Sequence, residues 1–119
     1  MEITKEIKND CLVVRPDGEF VFDEVAKFEA FVKQNIGKNK NVAIDCKKLT
    51  FLDSSGMGSM VKLLNMVKQK AGTLYLFNLN EDVRKIIEVA DLISFFKIIK
   101  ESEINSMFVE DVDDIMRRL

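Results

Sequence analysis

The fold that this sequence predicts is α/β, a layer sandwich with a mixed, mostly parallel sheet, and three observations predict it. Short apolar runs with strand character recur at residues 11–14, 42–44, 74–77 and 96–99. Stretches with apolar residues at helical spacing lie between them. The intervals of this alternation suit strand–helix–strand units, with about 4–5 strands and about 4 helices. A 119-residue chain that is 47% apolar can bury such a core within one domain, here expected to span residues 1–119.

Each element has its own justification. Residues 2–8 alternate loosely and fit an edge strand. Cys11-Leu12-Val13-Val14 is a stronger strand, and Pro16-Asp17-Gly18 after it is a turn signal expected to stop it. From Val21 the apolar residues fall at 21, 25, 28 and 32, with Phe22, Phe31 and Ile36 broadening the stripe of a first helix that ends in the polar residues 37–41. Val42-Ala43-Ile44 fits a central strand covered on both faces. A short Leu49-Thr50-Phe51-Leu52 then leads through Asp53-Ser54-Ser55-Gly56 to a second amphipathic helix opening at Met57, with apolar positions at 57, 60, 61, 64 and 67.

Ala71-Gly72-Thr73 closes that helix, and Leu74-Tyr75-Leu76-Phe77 is the next strand. Asn80 is placed to cap a third helix running to about Ala90, with Val83, Ile86 and Ile87 inward. Phe96-Lys97-Ile98-Ile99 reads as a last strand. Beyond it, Ile104, Met107, Phe108, Val112, Ile115, Met116 and Leu119 keep helical spacing. Ser102 stands where a cap belongs, and acidic residues early with Arg117-Arg118 late suit the helix dipole. One long C-terminal helix over about 101–119 is expected; the competing reading makes 106–109 a final strand and only 111–119 helical.

Composition narrows the function. The net charge of −2 supplies no positive excess to displace counterions from DNA or RNA, so a nucleic-acid partner is not expected. The dense lysines at 33, 38, 40, 47 and 48 read as solvated loop and helix faces. No apolar run approaches the ~20 residues that cross a bilayer, and Met1-Glu2-Ile3-Thr4-Lys5 lacks the pattern of a secretory signal. Cys11 and Cys46 stand in apolar runs as expected buried thiols of a reducing compartment, so the expected location is the cytoplasm.

The chain contains no histidine. Ser-His-Asp and Cys-His catalysis, and histidine-ligated metal, are thereby removed. Glu110, Asp111, Asp113 and Asp114 lack the glycine and terminal glutamate of a calcium loop, and Gly56-Met57-Gly58 lacks the remainder of a dinucleotide or phosphate-loop fingerprint. No cofactor, metal or catalytic residue is expected. A carboxylate-using enzyme, with Asp53 as base and Ser54 or Ser55 as nucleophile, is a third-ranked alternative.

Asp53-Ser54-Ser55-Gly56 is the informative stretch. Two hydroxyls and a carboxylate sit where a helix begins, a place rich in unpaired N–H groups and positive in potential. A serine there serves as a cap, an anion contact or a phosphorylation target. Gly56 and Gly58 read as positions where the helix starts close to the sheet. Met60 belongs to the inward stripe; Met57 fits either the core or an adaptable docking face.

Residues 42–58, from Val42-Ala43-Ile44-Asp45-Cys46 through Leu49-Thr50-Phe51-Leu52 to Asp53-Ser54-Ser55-Gly56-Met57-Gly58, resemble the signature of the STAS family, whose bacterial members include the anti-sigma factor antagonists. The likeness extends in order to Gly18 and to the segments 74–77 and 96–99, and so covers roughly 8–100. It implies a small cytoplasmic protein that binds a serine-kinase anti-sigma factor and thereby releases a sigma factor. It implies phosphorylation of the second serine of the motif by that kinase, reversed by a PP2C-type phosphatase. By position the acceptor is Ser55, with Ser54 as the neighbouring candidate. The implied partner surface comprises Asp53, Ser54, Ser55, Gly56 and Met57, with Gly18 flanking it. The family also contains binding subunits of lipid- and anion-transport complexes, which is the alternative function. The sequence leaves open the sigma factor, a homodimer, and any lipid or nucleotide ligand.

Overall fold

The computed structural model describes residues 1–107. Strand β1 (Glu2–Lys8) and strand β2 (Cys11–Phe20) form an antiparallel hairpin. Its two-residue loop, Asn9-Asp10, takes positive φ at both positions, the backbone that matches the twist of paired strands. Helix α1 (Phe22–Asn35), strand β3 (Asn41–Asp45), strand β4 (Leu49–Leu52), helix α2 (Ser54–Gln69), strand β5 (Leu74–Phe77) and helix α3 (Glu81–Val89) follow. A 3-10 turn (Ile93–Phe95), strand β6 (Lys97–Ile98) and helix α4 (Glu101–Met107) complete the described chain.

The strands form a six-stranded mixed sheet in the order β1-β2-β3-β5-β6, with β4 paired to β2. Only β1·β2 is antiparallel; β2·β3, β2·β4, β3·β5 and β5·β6 are parallel. Alternation along each strand sorts the core into two faces. Leu12, Val14, Val42, Ile44, Leu74 and Leu76 lie in one cluster with residues of α1, α2 and α3. Cys11, Val13, Ala43, Tyr75 and Phe77 lie in the other, with Ile99 and with Ile104 of α4. The uninterrupted burial of Val42 through Cys46 is what a parallel strand covered on both faces requires.

Four differences from the sequence reading have physical causes. Pro16-Asp17-Gly18 does not end β2. The first part of β2 pairs with β3 through Val14, and its last three residues pair with β4 from Gly18 onward. Pro16 lies in the gap between these pairings, where a residue without an N–H is tolerated. Gly18 at φ +117°, followed by a shift of register before Glu19, bends the strand onto its new partner. The short segment Leu49–Leu52 is thereby a sixth strand.

Helix α2 opens at Ser54, three residues before Met57, because Asp53 caps it. The last strand contracts to Lys97–Ile98: the Phe96 N–H turns back to Ile93 O at 3.4 Å, while the Ile99 N–H still reaches Leu76 O at 3.0 Å. Ser102 is inside α4 and does not cap it; instead Glu103 Oε1 accepts the Lys100 N–H at 3.2 Å. Ser106 and Met107, assigned to a strand in the competing reading, are helical, whereas 108–119 lie outside the described residues.

Both cysteines are buried and free. Burial, reinforced by the neighbouring Asp10, pushes the Cys11 thiol up to about 12, and burial pushes Cys46 up as well, with Asp45 adding to it. A thiolate is the reactive form. The folded protein is therefore expected to leave a thiol reagent unreacted at about pH 8, and to titrate fully once denatured. Rapid labelling of Cys11 or Cys46 in the folded state would contradict this packing.

Candidate functional site

Strand β4 ends at Leu52, and the next residue holds the site together. Asp53 has extended backbone angles, as an N-cap requires, and its Oδ1 accepts the Gly56 N–H at 2.8 Å. Its other oxygen, Oδ2, accepts the Phe22 N–H at 3.0 Å. Phe22 is the first residue of α1, whose own N-cap residue, Val21, has no side-chain capping bond. One carboxylate thus caps two helices. Its main chain is fixed too: Asp53 N–H donates to Phe20 O at 3.3 Å, and Asp53 O accepts the Met57 N–H at 3.0 Å. The Gly56 N–H foremost, and those of Phe22 and Ser55 after it, hold the Asp53 carboxyl below its ordinary value of 3.8.

Ser54 is exposed and Ser55 is half-buried, in the first turn of α2. Neither hydroxyl has a hydrogen-bond partner among the described residues. Both hydroxyls are therefore unengaged at a helix start whose Ser55, Gly56 and Met57 N–H groups already turn to Asp53. Met57 is 8% exposed and joins the core cluster. Gly56 is buried as well. Gly18 is half-buried opposite Leu49, at the far end of the β2–β4 pairing from Asp53, roughly 10 Å along the strand. It shapes the approach of β2 to β4 and does not touch the serines.

The two glycines of the motif differ. A Cβ on Gly56 would lie 2.1 Å from the carbonyl oxygen of Phe20, so glycine alone lets α2 seat against the end of β2. A Cβ on Gly58 would meet nothing within 4 Å, and Gly58 is exposed. Close approach to the sheet therefore explains Gly56 but not Gly58.

Phe22, expected on the inward stripe of α1, is 73% exposed. It is the first residue of the helix, bonded through its N–H to Asp53, and lies outside the core cluster that Val25 and Phe28 join. Phe51, two residues before Asp53, is 42% exposed. Sequence reasoning did not single out either as a surface residue. The signal for Phe22 is its place beside the cap; nothing in the sequence separates Phe51 from the buried Leu49 and Leu52. Among the described residues no group of His, Cys, Asp or Glu could hold a metal ion, and no helix is long and apolar enough to cross a membrane.

This arrangement meets a family match: the STAS domain model covers residues 2–104, and the chain belongs to that family. An anti-sigma F factor antagonist of Paenibacillus polymyxa is 25% identical over 111 residues, 90% of this chain and 92% of the relative. A solved putative anti-sigma factor antagonist of Thermotoga maritima superposes with a TM-score of 0.74 at 18% identity, over 98% of this chain and 92% of that one. SpoIIAA, an anti-sigma factor antagonist and Bacillus cell fate determinant, superposes with a TM-score of 0.69 in its unphosphorylated and its phosphorylated form alike. Identities are 21% and 23%, over 99% and 89% of this chain and 100% and 98% of the SpoIIAA chains.

Two expectations follow. Gly58→Ala should raise stability by about 0.5–1 kcal/mol, since alanine costs a helix less than glycine. Gly56→Ala should lower it by about 3 kcal/mol or more, since backbone must move. Chemical denaturation of both variants measures this, and equal effects would contradict the geometry. A carboxyl held below its ordinary value stabilises the fold above that value, and the contribution is lost as pH falls below 3.8 through the lower folded-state value. The melting temperature of Asp53→Asn should therefore fall below wild type near about pH 7, and the gap should close near about pH 2.

Proposed function

We propose that this protein is an anti-sigma factor antagonist that binds a serine-kinase anti-sigma factor through the surface around Ser55, and that phosphorylation of Ser55 by that kinase ends the binding. The observation that carries the reading is a half-buried, unengaged Ser55 hydroxyl in the first turn of α2, beside a carboxylate that already fixes the helix start. Membership of the STAS family, and relatives named as anti-sigma factor antagonists, support it. So does the existence of SpoIIAA in a phosphorylated form with the same fold. On this reading a PP2C-type phosphatase restores the hydroxyl, the setting is the cytoplasm, residues 1–119 act as one regulatory domain, and the chain catalyses nothing itself.

The physics needs no refolding. A phosphate brings about −1.5 to −2 charges and three acceptor oxygens. The helix N-terminus lowers the cost of that charge for the protein carrying it. The partner meets a bulky dianion next to Asp53 where it met a hydroxyl, and must strip its water at a contact shaped for that hydroxyl. A loss of about 3 kcal/mol corresponds to more than a hundredfold in affinity.

The test is to incubate the protein with the serine-kinase anti-sigma factor of its host and ATP, and to weigh it intact. One phosphate is expected on wild type and on Ser54→Ala, and none on Ser55→Ala. Ser55→Ala should bind the kinase as wild type does, and Ser55→Asp at least about a hundredfold more weakly. Equal binding by Ser55→Ala and Ser55→Asp would overturn the reading.

A further inference from the structure

Five large apolar side chains are exposed among the described residues, and two of them belong to segments that meet at Asp53: Phe22 bonds it through its N–H, and Phe51 precedes it by two residues in β4. The fold does not account for them. Phe22 contributes its N–H to the Asp53 carboxylate, while its ring is 73% exposed and outside the core clusters. On β4 the packing is done by Leu49 and Leu52; Phe51 is left 42% exposed. Exposed aromatic rings on the segments that lead into a helix start with unengaged hydroxyls are suited to anchor a partner.

The acidic groups near the two rings are not neutralised by ion pairs among the described residues. Glu19 lies directly across from Phe51 in the parallel register, and both are exposed. Asp23 follows Phe22 on the exposed start of α1. Glu19, Asp23 and Asp53 have no cationic partner among the described residues. Of the lysines on these elements, Lys62 pairs with Glu29 at 3.2 Å and Lys27 donates to Met1 O, while Lys48 is exposed at the other end of β4 from Asp53.

We propose that Phe22 and Phe51 are the aromatic anchors of a docking patch whose partner is a protein surface with apolar sockets bordered by lysine and arginine. The proposal rests on the reading of the Ser55 region as a partner-binding site and states what that partner must present. A second copy of this chain does not meet the requirement, because a two-fold contact would set the same unpaired carboxylates against each other. Gly58, exposed one turn after Ser54 with open space where a side chain would be, lets partner backbone come close to α2. Attraction between the acidic rim and a basic partner survives phosphorylation of Ser55. The phosphate therefore acts at contact, by volume and lost solvation, and raises the dissociation rate more than it lowers the association rate.

The experiment measures association and dissociation rates between the full chain and the host's serine-kinase anti-sigma factor. Phe22→Ala and Phe51→Ala should each weaken affinity at least about tenfold through faster dissociation, with unchanged circular dichroism melts. Glu19→Lys and Asp23→Lys should slow association and flatten its dependence on salt. Phe95→Ala, on the 3-10 turn and 55% exposed, serves as the control and should change affinity less than about twofold. Gly58→Ala should bind more weakly while melting higher. Wild-type affinity in both Phe22→Ala and Phe51→Ala, with Ser55→Asp still inactive, would overturn the patch and leave the Ser55 reading standing. Absence of any binding by wild type would remove both. Loss of a dimer in sedimentation of Phe22→Ala, with kinase affinity unchanged, would assign the patch to self-association and overturn the proposal.

Discussion

The Asp53 carboxylate is the constraint on which the rest of the site depends. Helices α1 and α2 both begin where β2 and β4 end, so two positive helix ends and their unpaired N–H groups converge on one place. Val21 offers α1 no side-chain acceptor, and Asp53 supplies one to each helix. Its two oxygens tie the Phe22 and Gly56 amides together, while its own amide holds to Phe20 O. The seat is tight because Gly56 brings α2 against that same Phe20 carbonyl. Ser54 and Ser55 occupy the first turn of a helix whose start is fixed from three directions, so their hydroxyls are held in place without being consumed.

Much of this was legible in the sequence because it depends on local pattern. The strands 42–44 and 74–77, the helical spacing from Val21 and from Met57, and the Asn80 cap report contacts within a few residues, and the structure has them. Asp53-Ser54-Ser55-Gly56 was legible as a helix start for the same reason. What was not legible depends on long-range pairing. Pro16-Asp17-Gly18 has turn chemistry, and only the change of partner from β3 to β4 reveals why β2 passes through it. Phe22 fits the apolar stripe by spacing, yet as the first residue of α1 it is 73% exposed, a placement that spacing alone does not give. Gly56 and Gly58 look equivalent until the position of Phe20 separates them.

The two carboxylates that end or follow parallel strands make a contrast that gives the surface its character. Asp45, at the end of β3, is 7% exposed and fully engaged: Arg15 Nε lies 3.3 Å from Oδ2, and Oδ1 accepts from Lys47 N and from Asn78 Nδ2, each at 3.0 Å. Arg15 reaches on to Glu6 at 2.9 Å, so that end of the sheet is neutralised within the protein, as a buried carboxylate requires. Asp53 has only backbone N–H donors. Dipoles stabilise its charge without cancelling it, and the unpaired Glu19 and Asp23 add to the field. Ser55 thus stands beside a carboxylate held by backbone N–H groups and in no ion pair among the described residues. On the proposed reading, a partner that approaches Ser55 is selected by charge before any contact forms, and a phosphate there acts only after contact, once the exposed ring of Phe22 and the open face of Gly58 have met the partner surface.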